Sequence, residues 1–215
     1  MQNKPGIIKQ VVMGFIAVIA GFALVLQLWL MLKNGPALGI RPAASVVNFL
    51  SFFTVLSNLI VAISLSISLL GPWTRAGRFF SAHSIQSAIM LYIFIVGLVY
   101  NLVLRNLWAP KGQQLLADNL LHVVVPLLYI VYWSLFTPRS VLRWKDGFPW
   151  LIFPFVYLVY SLIRGAATGW YPYPFLNADA LGYSKVILNI LMMIGAFFAV
   201  GLLLIAVNRG RKRNG

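Results

Sequence analysis

Six long apolar runs, each broken from the next by proline, glycine or basic residues, dominate this chain and leave few ways to fold it. They lie at residues 11–32, 46–70, 84–104, 120–136, 149–163 and 186–207. A run of about 20 apolar residues is the length needed to cross a bilayer as a helix. At that depth only helices and closed barrels satisfy their own backbone hydrogen bonds, and these runs are too continuous to alternate like barrel strands. The expected fold is therefore all-α: a polytopic membrane protein with six transmembrane helices in one domain over residues 1–215. The remaining length leaves no room for a soluble domain. The first run is longer than a signal-peptide core and lacks a small-residue cleavage pattern, so it reads as a retained helix.

Composition agrees. Of 215 residues 61% are hydrophobic and only 9% are charged, too little polar surface for a soluble domain of this size. The formal charge of +14, from 17 basic and three acidic residues, would point to nucleic acid in a soluble chain. Here the basic residues sit between apolar runs. The one dense cluster, Arg209, Arg211, Lys212 and Arg213, follows the last run as a basic tail over 209–215 and reads as a juxtamembrane anchor on anionic headgroups. Membrane lipids are thus the expected partners, and nucleic acid is not.

Charge also predicts orientation. Lys4, Lys9, Arg75, Arg78, Arg139, Arg143, Lys145 and the four tail residues fall on one side, eleven in all, against six on the other: Lys33, Arg41, Arg105, Lys111, Arg164 and Lys185. The richer side is cytoplasmic by the positive-inside rule, which puts both termini inside. The longest outer loop carries Gly169-Trp170-Tyr171-Pro172-Tyr173-Pro174-Phe175. Two readings of it stay open, an interfacial aromatic belt or a lid over an outward cavity.

The chain has no cysteine, which excludes a disulfide framework, a thiolate nucleophile and a cysteine metal site. Two histidines and three aspartates without ligand spacing make a metal centre unexpected, and no glycine-rich loop opens a helix to cradle phosphates. No cofactor is expected. No internal repeat, inverted or direct, marks a secondary transporter.

Polar residues inside the apolar runs carry the most information, because each is costly in hydrocarbon without a partner or a task. In the second run Ser51, Thr54 and Asn58 are spaced to share one helix face, with Ser57 beside them. In the fourth, His122 has Asp118 and Asn119 four and three residues before it, where an acid can fix the imidazole tautomer. Pro126 would free the carbonyl of His122 and kink the helix. The plain alternative for serine and threonine is a bond to their own backbone or to a neighbouring helix.

The stretches Phe-Leu-Ser-Phe-Phe-Thr-Val-Leu-Ser-Asn (49–58) and Asp-Asn-Leu-Leu-His-Val-Val-Val-Pro (118–126), with Arg164 followed by Gly-Trp-Tyr-Pro-Tyr-Pro-Phe-Leu (169–176), resemble the bacterial Pr6Pr family of six-helix membrane proteins. That family looks related to the androgen-induced and FAR-type membrane hydrolases, which cleave fatty acid esters of hydroxy fatty acids with an intramembrane threonine and histidine. The resemblance implies a bacterial inner-membrane protein with Thr54 and His122 as catalytic pair and a lipid ester as substrate. The Ser57-Asn58 pair departs from the animal relatives.

On that reading the expected activity is hydrolysis of a fatty acyl ester facing the outer leaflet. Thr54 is the nucleophile and His122 its base, with Asp118 orienting the imidazole. Asn58 or Asn119 would donate to the oxyanion. Arg164, with Tyr171 and Tyr173, would hold a substrate carboxylate. The competing expectation is a ligand-binding or proton-coupled transport protein whose outward polar cavity is lined by Thr54, Asn58 and His122.

Overall fold

The computed structural model describes residues 6–210, so Lys4, Arg211, Lys212 and Arg213 of the basic clusters lie outside the described residues. Among the described residues every regular element is helical. Six spans are long and apolar enough to cross a membrane: Ile7–Asn34, Phe53–Leu70, His83–Leu107, Gly112–Phe136, Trp144–Thr168 and Tyr183–Gly210. The protein is an all-α polytopic integral membrane protein. The chain divides into two compact units, Met1–Pro138 and Arg139–Gly215.

The first unit holds four spans. Helix α1 (Ile7–Asn34) is predominantly apolar and buries one face. Met13, Ile16, Ala20 and Ala23 are buried, while Val11, Phe15, Val18, Phe22 and Val25 are exposed on the opposite face. Between helices in lipid there is little hydrophobic drive, so close van der Waals approach across small residues does the work. The alanines give α1 that approach to its main neighbour, the helix over Phe53–Leu70.

The second apolar run departs from expectation. It does not form one helix over 46–70 but two, α2 (Pro42–Phe49) and α3 (Phe53–Leu70). Neither proline nor glycine sits at the break. The Ser51 hydroxyl instead takes the carbonyl of Val47 at 2.6 Å. The Ser51 N–H then turns to Asn48, and Phe52 is extended. A serine competing for the backbone carbonyl four residues back is a known way to bend a helix. Ser51 therefore lies in the break and not on the face of Thr54 and Asn58.

After α4 (Arg75–Ser81), α5 (His83–Val99) runs into a π-helical turn, Tyr100–Leu104. Helix α6 (Gly112–Asn119) likewise passes through a π turn, Leu120–Val124, into α7 (Val125–Phe136). The fourth span thus extends back beyond residue 120, and Asp118 is inside it. Neighbouring spans pack in sequence, α1 on α3, α3 on α5 and α5 on α7, with α1 also against α6 and α7.

The second unit consists of the short α8 (Gly147–Trp150), α9 (Ile152–Thr168), α10 (Ala178–Leu181) and the long α11 (Tyr183–Gly210). Asn208, fully buried, accepts from the backbone N–H groups of Val141 and Leu142 at 3.1 and 3.2 Å. That clamp ties the loop before α8 to the end of α11.

Candidate functional site

The site in the first unit begins with Pro126. A proline inside a helix has no N–H to give and crowds the carbonyl four residues back. The chain absorbs it by widening: the Val125 N–H reaches back five residues to Leu120 rather than four to Leu121. A π turn is a frequent feature of functional sites. Here it leaves the carbonyl of Leu121 turned toward α3, where the side-chain amide of Asn58 donates to it at 3.2 Å. The same amide donates to the carbonyl of Thr54 at 2.8 Å. Asn58 and Leu121 are both fully or nearly fully buried, so this bond fixes α3 against the turn that carries His122.

Two features shape the surroundings. Val55, Leu121, Ala23, Leu24 and Phe49 form one buried cluster around the junction. On the α5 side Gly97 is pressed so close that a Cβ would meet Pro126 Cβ at 3.2 Å and the His122 carbonyl at 3.3 Å. A larger residue would hold α5 off the turn.

His122 is oriented from its Nδ1 side. That nitrogen lies 2.9 Å from the Asp118 carbonyl and 3.2 Å from the Asp118 carboxylate. Asp118 is only 2% exposed, a carboxylate in the membrane whose second oxygen receives the hydroxyl of Tyr100. The Tyr100 ring in turn stacks on the imidazole at 3.9 Å between centroids, 15° from parallel. With Nδ1 directed at Asp118, Nε2 is the nitrogen left for proton transfer.

Thr54 is buried in the first turn of α3, one turn before Asn58. Thr54 is the second residue of α3, where the positive end of the helix dipole falls. The expected oxyanion role of Asn58 is not what the geometry favours, since both amide hydrogens are already directed at carbonyls. Asn119 is half-buried at the last position of α6.

Tyr100 was not among the residues singled out from sequence. Within an apolar stretch a tyrosine is an ordinary packing residue, and its spacing from Asp118 carries no signal. The only hint was indirect: a buried aspartate in a membrane needs a donor.

Arg164, Tyr171 and Tyr173 lie in the second unit, around the end of α9. The Arg164 guanidinium sits 4.2 Å over the Trp170 ring, the Tyr171 ring occupies the space a side chain at Gly165 would need, and Tyr173 stacks on Phe175 at 5.1 Å. Desolvation and then the charge of Asp179 raise the Tyr171 phenol above its ordinary pKa. The loop is tied down by Asn189, which donates to the Phe175 carbonyl at 2.9 Å.

No family model matches the chain, and neither a curated protein nor a solved structure matches it.

Proposed function

We propose that this protein is an intramembrane hydrolase of fatty acyl esters, with Thr54 as nucleophile and His122 as base. The observation that carries this reading is the Asp118–His122 pair at 3.2 Å, on the turn that the Asn58–Leu121 bond ties to the helix of Thr54. A carboxylate on Nδ1 selects the tautomer whose Nε2 accepts a proton, the arrangement that activates hydroxyl nucleophiles.

Thr54 Oγ1 attacks the ester carbonyl and its proton passes to His122 Nε2. The tetrahedral oxyanion is favoured by the positive end of the α3 dipole. Collapse expels the alcohol, which takes the proton from His122, and leaves an acyl-threonine. His122 then removes a proton from water, which attacks the acyl group and releases the fatty acid. Thr54 regains its proton. The net reaction is ester plus water to acid plus alcohol, with no cofactor.

The distribution of basic residues supports an orientation with both termini cytoplasmic and this site toward the outer leaflet, and the resemblance to the bacterial Pr6Pr family favours the inner membrane. Arg164 with Tyr171 and Tyr173 gives the second unit a cationic aromatic surface suited to a lipid anion. The test is turnover of a long-chain p-nitrophenyl ester by protein in nanodiscs. Thr54→Ser is expected to retain activity and Thr54→Val to abolish it. A folded wild type without turnover on any acyl ester would favour the ligand-binding or transport alternative.

A further inference from the structure

The opposite end of the first unit holds a second group of polar side chains that the proposed chemistry does not use. Helix α1 begins there, α3 and α7 end there, and α5 starts there. Four buried polar atoms at this end have no hydrogen-bond partner among the described residues: Ser68 Oγ, His83 Nδ1, Gln86 Oε1 and Thr137 Oγ1. The Ser68, Gln86 and Thr137 side chains are each 3% exposed. Buried polar groups are nearly always paired, so four exceptions at the same end of one unit call for a ligand or water.

Their neighbours show how the group is assembled. The Gln86 side-chain amide donates to the Tyr132 hydroxyl at 3.3 Å, which leaves that hydroxyl's own proton for another acceptor. The ammonium of Lys9 lies 5.8 Å over the Tyr132 ring. Thr137 follows one turn after Trp133, whose indole donates to Ser87 beside Gln86 at 2.8 Å. Leu69, next to Ser68, reaches the α1 backbone at Gly14.

Charge then distinguishes a ligand from water alone. The sequence of the first unit contains one carboxylate, Asp118, and it stands at the other end with His122 and Tyr100. Lys9 is half-buried with no acid of its unit beside it. A partly desolvated cation over the Tyr132 ring, at the same end of the unit as the Ser68 and Thr137 hydroxyls, suits a tetrahedral oxyanion. The spans end at Leu70 and Phe136 and begin at His83, which sets the cluster at the level where lipid phosphates lie.

We propose that this end of the unit is a phosphate-binding site, with Lys9 supplying the charge and Ser68, Thr137 and Tyr132 the hydroxyl donors. The phosphate comes either from a phospholipid headgroup or from solution.

The test is the apparent melting temperature of delipidated protein in neutral detergent, titrated in one arm with phosphatidylglycerol and in the other with sodium phosphate at matched ionic strength. Wild type is compared with Lys9→Gln, Thr137→Val and the remote control Lys33→Gln. A ligand that binds only the folded state raises the midpoint with concentration. The expected result is a rise of several degrees in wild type and Lys33→Gln, with at least tenfold more ligand needed for the same rise in Lys9→Gln. Thr137→Val is expected to weaken the response in the same direction, and Lys9→Arg to restore it. A response to the lipid alone assigns a headgroup, and a response to both assigns free phosphate. No shift of the wild type in either arm, or equal shifts in Lys9→Gln, would overturn the proposal and leave the cluster to water.

Discussion

The side-chain amide of Asn58 donates to the backbone carbonyl of Leu121, 3.2 Å away and 63 residues later in the chain. Pro126 and the π turn before it make that carbonyl available, and Asn58 is the group that uses it. The bond joins the helix of Thr54 to the turn of His122.

Replacing Asn58 by leucine is expected to cost about 1 kcal/mol of stability, the usual range for an interhelical hydrogen bond in a membrane protein. Reversible unfolding in mixed detergent measures it. A loss of activity much larger than the loss of stability would show that the bond also sets the spacing of Thr54 and His122.

Gly97→Val is expected to destabilise by about 1–3 kcal/mol, as overpacking does elsewhere, because its neighbours are a proline ring and a backbone carbonyl at 3.2 and 3.3 Å. The same unfolding assay reads it. Gly195→Val, where a Cβ meets nothing within 4 Å, is the matched control.

Asp118→Asn is expected to keep the fold and lower ester hydrolysis by about 10³-fold or more, since the wrong imidazole tautomer is then favoured. Tyr100→Phe keeps the stacked ring and removes only the hydroxyl that Asp118 accepts. Its loss should be smaller than that of Asp118→Asn. Steady-state kinetics on one ester compares the two.

Asn208→Leu is expected to release the loop that its carbonyl oxygen holds at Val141 and Leu142. Limited trypsin digestion should then cut at Arg139 or Arg143 several times faster than in wild type. An unchanged digestion rate would mean that the other contacts of the loop suffice.

The six spans were legible from the sequence because membrane depth demands length and apolarity, and both are visible in a single chain. The break at Ser51 was not, since it arises from one hydroxyl choosing one carbonyl and leaves no proline or glycine to mark it. Pro126 announced a disturbance near His122. Which carbonyl would be redirected depends on the widened turn, and it is Leu121 that reaches Asn58. The pairing of Asp118 with His122 followed from their spacing of four, whereas Tyr100 came to it through tertiary packing alone. The amide hydrogens of Asn58 are directed at two carbonyls, that of Thr54 one turn back on its own helix and that of Leu121, which only the folded unit brings near.

The central claim is that Thr54 is an activated hydroxyl. The most direct measurement is labelling of the folded, detergent-solubilised protein with a fluorophosphonate probe, followed by mass-spectrometric mapping of the adduct. The account predicts a covalent adduct on Thr54 that disappears in His122→Ala and in Thr54→Val while both variants remain folded. An unlabelled Thr54 in folded wild type, tested with more than one class of acyl electrophile, would contradict it.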